Sequence, residues 1–239
     1  MDSAATQVAR ELLNRHKGIS GRTTFRLLGR EWDLLPGVYA PQLTRSAALY
    51  AEWIPYPAGG SLCEIGSGTG YLAVTAALHD CRLVHATDIT PAAAENIALN
   101  ARRHGVADRV SVHQGDLFAA LPADERYDVI FWNSNFVETP ADAPDDEPGE
   151  EAGGLRLAFY DADYRAHRAY LRDGATRLAP GGRLLLGFTS LGNTARLAGL
   201  AREYGLRPRV LRAVGYDSPY GERIRYQLLE FLPLTAQGR

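Results

Sequence analysis

Lysine is almost absent from this chain of 239 residues. Lys17 is the only lysine, so nearly all of the 26 basic residues are arginines. A P-loop requires a lysine beside its glycines, and Schiff-base catalysis requires a lysine within a pocket. The Tyr-x-x-x-Lys pair of some oxidoreductases is also missing, because Tyr164 is followed by Arg168. These absences exclude three common kinds of active site.

Cysteines and long apolar runs are scarce as well. Cys63 and Cys81 are the two cysteines, and they lack the spacing of metal ligands. We expect inert core thiols in a reducing compartment, with no metal site. No apolar run is long enough to span a membrane, and residues 2–16 have the pattern of an amphipathic helix rather than a secretory signal. The sequence therefore predicts a cytoplasmic protein.

Excess charge of either sign is also missing. The formal net charge is -2, which gives no electrostatic basis for binding nucleic acid or an anionic membrane. The hydrophobic fraction of 46% allows one substantial core. Composition thus favours a globular domain without a nucleic-acid or membrane partner, and leaves the oligomeric state open, a homodimer included.

The most informative stretch is 62–71, Leu-Cys-Glu-Ile-Gly-Ser-Gly-Thr-Gly-Tyr. It is typical of a buried strand that ends in an acid and turns through glycines into a helix. Tyr71 stands where the dinucleotide fingerprint has its third glycine. Glu64 adds a negative charge, which favours a ligand with a cationic portion over a pyrophosphate. S-adenosylmethionine fits, because it carries ammonium and sulfonium groups and no phosphate.

Two more predicted strands end on acids. Residues 83–88 end at Asp88, at the offset where a carboxylate meets ribose hydroxyls, and residues 110–114 lead to Asp116, where adenine could be recognised. Three such strand ends together favour a cofactor site. The predicted cofactor-binding residues are Glu64, Gly66, Ser67, Gly68, Thr69, Gly70, Asp88, Ile89, Asp116, Leu117 and Asn133.

From about residue 21 to 233 the chain resembles the class I S-adenosylmethionine-dependent methyltransferases. Segments 28–32 and 36–41 are similar to those that precede the cofactor loop in the HemK-like N-methyltransferases. That subgroup's Asn-Pro-Pro-Tyr signature is altered here to Asn-Ser-Asn-Phe at 133–136. The resemblance implies an α/β, Rossmann-like, seven-stranded sheet of order 3-2-1-4-5-7-6 with its last strand antiparallel.

Strands and helices are predicted to alternate from residue 61 onward, as in a parallel sheet covered on both faces. We expect a helix over 160–178, with Asp161 and Asp163 as acids of its first turn. The tail, 207–214 and 224–232, predicts an antiparallel pair. Residues 1–57 are assigned to an N-terminal extension of a helix and a β-hairpin, and residues 58–239 to the methyltransferase domain.

The resemblance also implies roles on the methyl-acceptor side. The side chain of Asn133 and the carbonyl of Ser134 would accept the two N–H groups of a planar nitrogen. Phe136 would form a wall. Glu138 is the candidate base for a guanidinium on the ground of its position alone. The other candidate substrate-binding residues are Tyr39, Asn135, Tyr160, Asp161 and Tyr164. Residues 138–154 predict a mobile acidic loop, either a lid over a cationic acceptor or a solvated insertion.

We therefore expect transfer of a methyl group to a nitrogen of a small, cationic substrate, such as the guanidine of free arginine. Four alternatives remain open at this stage. They are a HemK-like protein glutamine methyltransferase, a nucleobase methyltransferase, a non-catalytic cofactor-binding partner subunit, and a hydride-transfer enzyme.

Overall fold

The computed structural model describes residues 3–142, 153–218 and 222–234. The helices are α1 (Ala4–Lys17), α2 (Ser46–Trp53), α3 (Tyr71–Leu78), α4 (Pro91–Arg103), α5 (Gly153–Leu157), α6 (Arg165–Gly174) and α7 (Thr194–Glu203). The strands are β1 (Thr23–Leu27), β2 (Arg30–Leu34), β3 (Ser61–Ile65), β4 (Leu83–Asp88), β5 (Val110–Gln114), β6 (Tyr127–Asn133), β7 (Val137–Thr139), β8 (Tyr160–Ala162), β9 (Leu178–Thr189), β10 (Leu206–Asp217) and β11 (Arg223–Pro233).

Seven strands form the central sheet in the order β10-β11-β9-β6-β3-β4-β5. Strands β5, β4, β3, β6 and β9 are parallel, and β11 is antiparallel to both of its neighbours. The order predicted from the family resemblance is confirmed, including the antiparallel pair at the tail. The carboxyl ends of β3, β4, β5 and β6 therefore lie at one edge, where open α/β sheets bind ligands.

The helix predicted over 160–178 is wrong in its first part. Residues 160–162 form β8, which pairs with β7, and α6 begins only at Arg165. Asp163 and Tyr164 separate the two elements because their φ angles, 50° and 49°, are left-handed. Asp161 is consequently not in the first turn of the helix. It caps α6 from outside, accepting hydrogen bonds from the backbone N–H groups of Ala166 and His167.

Hydrophobic residues cover both faces of the sheet. On one face, α3 and α4 pack through Leu72 and Ile97, and on the other, α6 and α7 pack through Tyr170 and Leu200. A third, smaller group lies apart from these two cores, and we call it the satellite cluster. Its buried members are Val8, Ala9, Leu12 and Leu13 of α1, with Val137, Leu155 and Phe159.

The β1–β2 hairpin is joined to the first of these cores. Trp32 and Leu34 are fully buried there. Two buried asparagines of α4 complete the junction, because Asn100 bonds both the N–H and the C=O of Asp33, and Asn96 also donates to that carbonyl. The hairpin and the sheet thus share one core, while a domain boundary between 57 and 58 stays a prediction.

Strand β10 forms one free edge of the sheet. Arg207, Arg209 and Arg212 are exposed along it, and its pairing with β11 is interrupted by a register shift between Val210 and Arg212. Pro208, which has no N–H to donate, lies in the same stretch. Throughout the described ranges, no helix combines the length and apolarity that a membrane span requires.

Candidate active site

A cavity of about 660 Å³ lies at the carboxyl ends of the parallel strands. Its walls include the strand-end acids Glu64, Asp88 and Asp116 on one side, and Asn133 with Phe136 on the other. In the sequence these residues follow four separate predicted strands. In the structure they line the same cavity. We call the two halves the cofactor side and the acceptor side.

The glycine-rich turn forms part of the cofactor side. Gly66 and Gly68 line the cavity with φ angles of 61° and 55°, which side chains rarely permit. Ser67 and Thr69 line it too. Gly70 does not, although it was predicted to bind the cofactor. A Cβ at this position would lie 2.9 Å from Cα of Ile97, so this glycine allows α3 and α4 to pack closely.

Glu64 is buried at the end of β3. Its Oε2 accepts a hydrogen bond of 2.9 Å from the backbone N–H of Ala73, in the first turn of α3. Burial is the main cause that raises the pKa of Glu64, to about 8. The carboxyl group is therefore poised to lose its proton when a cationic ligand enters.

Asp88 accepts hydrogen bonds from the N–H of Gly68, at 2.9 Å, and from both the N–H and the hydroxyl of Thr90. These donors orient the carboxylate at the cavity wall. Burial raises the pKa of Asp88 above its ordinary value. Thr90 also caps α4 by accepting from the N–H of Ala93.

Two apolar side chains stand beside the acids. Ile89 follows Asp88 and is 46% exposed, although it lines the cavity. Leu117 follows Asp116 and has a left-handed φ of 45°, a strained conformation for a leucine. Apolar groups next to carboxylates match a ligand with a flat base and hydroxyl groups, as the adenosine portion of S-adenosylmethionine has.

The acceptor loop, residues 133–136, is held by hydrogen bonds in place of the prolines that the family signature has. Ser134 donates to the carbonyl of Gly187 from its N–H, at 3.2 Å, and from its hydroxyl, at 3.0 Å. The N–H of Phe136 donates to the carbonyl of Phe159. Asn133, Ser134 and Phe136 all line the cavity. The backbone there is thus fixed despite the missing prolines.

Asn135 and Tyr164 support this loop. Nδ2 of Asn135 donates to the carbonyls of Leu157 and Tyr160, at 3.1 and 3.0 Å. Tyr164 is fully buried outside the cavity wall, and its hydroxyl donates to the carbonyl of Phe136. Asn135 lines the cavity, yet its Nδ2 is engaged on the side of α5. Both residues therefore hold the loop in place.

The other residues predicted for the acceptor side differ in whether their side chains are available to a substrate. Tyr39 and Tyr160 line the cavity, and the ring of Tyr39 stacks on His16 at 4.9 Å. Asp161 also lines it, but its carboxylate caps α6 and is 2.7 Å from Nδ1 of the buried His167. The Asp161 carboxylate is thus already bonded by residues of the protein.

Glu138 is not brought to the cavity. Its carboxylate accepts from Nδ2 of Asn193 at 2.9 Å and lies 3.4 Å from Nε of Arg196. The loop predicted over 138–154 is wrong at its ends, because Glu138 and Thr139 belong to β7 and Gly153 and Gly154 to α5. Residues 143–152 lie outside the described residues. Arg165, at the start of α6, does line the cavity.

Sequence reasoning missed much of the apolar lining. Val8 and Leu12 of α1, and Leu155 and Leu157 of α5, all form part of the wall. The amphipathic pattern of residues 2–16 was the available signal, since its apolar face required a partner. No comparable pattern marks the residues of α5.

In the part of the chain that the structure describes, no group of three or more His, Cys, Asp and Glu side chains is placed to hold a metal ion.

The sheet order, the glycine turn and the strand-end acids together define the class of S-adenosylmethionine-dependent methyltransferases. The chain belongs to the methyltransferase domain family, whose model matches residues 58–185.

Two curated relatives share part of the sequence. The ribosomal protein uL3 glutamine methyltransferase of Bradyrhizobium diazoefficiens is 38% identical over 125 residues, which cover 51% of this chain and 38% of the relative. The release factor glutamine methyltransferase of Cereibacter sphaeroides is 38% identical over 151 residues, covering 61% and 52%. The chain thus spans about half, or less, of the length of these relatives.

A solved structure supports the fold. The 16S rRNA N2 methyltransferase of T. thermophilus, in complex with AdoMet and guanosine, superposes with a TM-score of 0.58. It is 19% identical, and the match covers 90% of this chain and 50% of that one. At this identity the likeness concerns the fold.

Proposed function

We propose that the protein transfers a methyl group from S-adenosylmethionine to the carboxamide nitrogen of a glutamine side chain carried by a polypeptide. The observation that carries this proposal is Asn133, which ends β6 in the cavity wall on a loop fixed by hydrogen bonds. An amide nitrogen has two N–H groups and a delocalised lone pair, so it must be oriented before it can react.

The role of this chain is to provide that orientation. The bound cofactor supplies an electrophilic methyl group. The side-chain oxygen of Asn133 and the carbonyl of Ser134 would accept the two N–H groups, which turns the nitrogen lone pair toward the methyl group. As the N–C bond forms, the S–C bond to the methyl group would break and S-adenosylhomocysteine would be the leaving group. The methylated nitrogen, which is then strongly acidic, would give one proton to water as the product leaves. The ring of Phe136 and the apolar side chains of the acceptor side exclude water.

Charge on the acceptor side favours a neutral nitrogen over the cationic one expected from the acidic loop. Among the described residues of the wall, the carboxylates are the three strand-end acids and Asp161, which is engaged by α6 and His167. Glu138 lies elsewhere. A guanidinium would therefore find no uncommitted carboxylate in this part of the wall.

The two relatives support a glutamine acceptor, since both are named as glutamine methyltransferases of a protein substrate. The expectation of a free small molecule, arginine in particular, receives no such support. The chain covers only part of these relatives, so the polypeptide carrier is the portion of the proposal that most needs an experiment.

The test uses methyl-labelled S-adenosylmethionine with the purified protein and a bacterial cell extract. We expect the label in protein, and mass spectrometry of proteolytic peptides should place it on the side-chain nitrogen of glutamine. A heat-denatured sample of the same protein is the control. Label found in free arginine, or confined to other small molecules, would refute the glutamine proposal while leaving methyl transfer established.

A further inference from the structure

Helix α5 connects the two sides of the cavity. At its start, Gly154 lies against Thr90, which in turn bonds the cofactor-side acid Asp88. Just beyond its end, the carbonyl of Tyr160, together with that of Leu157, receives the amide of Asn135 from the acceptor loop. One short helix thus contacts the environment of both substrates.

The contact at the start of α5 depends on glycine. A Cβ added at Gly154 would overlap Cγ2 of Thr90. Backbone strain is not the reason for this glycine, because its φ is not left-handed. Close approach of the helix to the rim of the cofactor side is what the missing side chain permits.

The remaining contacts of α5 can be released without opening the main cores. Leu155 is buried in the satellite cluster with Val8 and Leu12 of α1, and this cluster is separate from the two cores that cover the sheet. Elements held by few buried apolar groups open at lower free energy than the core does.

We propose that α5 is a cover that closes over the bound cofactor by seating Gly154 on Thr90, and that the same closure positions the acceptor loop through Asn135. The proposal rests on the S-adenosylmethionine site and does not depend on which nitrogen is methylated. Cofactor binding then precedes and prepares the acceptor side.

The decisive experiment is a double-mutant cycle with S-adenosylhomocysteine as the probe. Gly154→Ala should prevent full closure and raise the dissociation rate on the order of tenfold, equivalent to about 1.4 kcal/mol. Thr90→Ser removes the obstructing methyl group and keeps the hydroxyl that bonds Asp88 and caps α4. The double variant should therefore return to within about twofold of the wild-type rate.

Stopped-flow fluorescence can follow the release, because Trp132 lines the cavity. The matched control is Gly199→Ala in α7, where an added Cβ would meet no atom within 4 Å. This control should leave the dissociation rate unchanged. A second measurement needs no variant: amide hydrogen exchange at Ala158 and Phe159, which donate to carbonyls of α5, should slow on the order of tenfold with the probe bound.

The outcomes separate the two proposals. A wild-type release rate in Gly154→Ala, or failure of Thr90→Ser to restore it, would overturn the cover while leaving the methyltransferase site intact. Unchanged exchange at Ala158 and Phe159 would overturn it as well. If the wild-type protein bound no S-adenosylhomocysteine, both the cover and the proposed function would fall.

Discussion

At the scale of single residues, the two sides of the cavity make different demands. Asp88 lies on the cofactor side, where it accepts three hydrogen bonds from Gly68 and Thr90. Asn133 lies on the acceptor side at the end of β6. A side chain that only orients the acceptor contributes to the rate and little to cofactor affinity.

Exchanging these two residues for alanine should therefore give opposite results. Asn133→Ala should keep the affinity for S-adenosylhomocysteine and slow methyl transfer on the order of 100-fold, because orientation is lost. Asp88→Ala should weaken that affinity on the order of tenfold or more, because the ribose loses its acceptor. Calorimetry and a single-turnover assay measure the two effects. Glu203→Gln, at an exposed ion pair, serves as the control.

Glu64 predicts how cofactor affinity depends on pH. Burial raises its pKa to about 8, so the free protein holds this carboxyl group protonated at neutral pH. A cationic ligand favours the ionised form, and binding must then release a proton. The affinity for S-adenosylmethionine should rise with pH until about the pKa of 8 and then level off.

Titrations across this pH range, in the wild type and in Glu64→Gln, check the prediction. The variant cannot ionise, so its affinity should lose the pH dependence. S-adenosylhomocysteine, which lacks the sulfonium charge, should show a shallower rise than S-adenosylmethionine. Equal slopes for the two ligands would contradict the assignment of Glu64 to the cationic portion.

At the scale of elements, local patterns predicted the sheet but not the acceptor-side segments. Strands β3 and β4 each have an apolar run and β5 has an alternating one, and all three end near an acid, so their place and the cofactor side could be predicted from sequence. The break before α6 did not. It depends on left-handed φ angles at Asp163 and Tyr164, and the hydroxyl of Tyr164 is fixed by Phe136 and Asn193, both distant in sequence.

The position of α5 could not be predicted from the sequence for a similar reason. Its packing is set by Thr90 and by the satellite cluster, neither of which leaves a periodic pattern near residue 154. The amide contacts of Asn135 likewise explain how the acceptor loop can dispense with both prolines. Such tertiary contacts override local propensity.

Helix α4 fixes both the β1–β2 hairpin and the glycine turn through Asn100, whose Nδ2 also donates to the carbonyl of Thr69 at 2.9 Å. Asn100→Leu should lower the free energy of unfolding by about 2 to 4 kcal/mol, because buried backbone groups lose their partners. Urea denaturation measures this loss. Glu95→Gln, on the exposed side of the same helix, should have an effect near zero.

At the scale of the whole molecule, the shared core determines which pieces can fold. Trp32 and Leu34 of the hairpin and Tyr50 of α2 are fully buried in the core that also contains Leu62 and Phe131 of the sheet. We therefore propose that residues 1–57 are part of one cooperative unit with the rest.

Two truncations test this proposal. A chain that starts at residue 58 should fail to show a cooperative thermal transition, because the core on one face of its sheet loses Trp32, Leu34 and Tyr50 and is partly exposed. A chain that starts at residue 19 loses only α1 and its share of the satellite cluster, so it should still melt cooperatively. Circular dichroism distinguishes the two. Cooperative melting of the shorter chain would restore the domain boundary after residue 57.

The free edge formed by β10 has a consequence for how copies of this molecule behave in concentrated solution. A twelve-residue border with unpaired peptide groups is a template on which another strand can grow into a fibril. The guanidinium charges of Arg207 and Arg212, a proline and an irregular register disfavour pairing of this edge with a second copy, while Arg209 is paired with Glu230 of β11. These features of the edge strand oppose aggregation of the protein. The part that comes from arginine charge should weaken at high salt, which screens it.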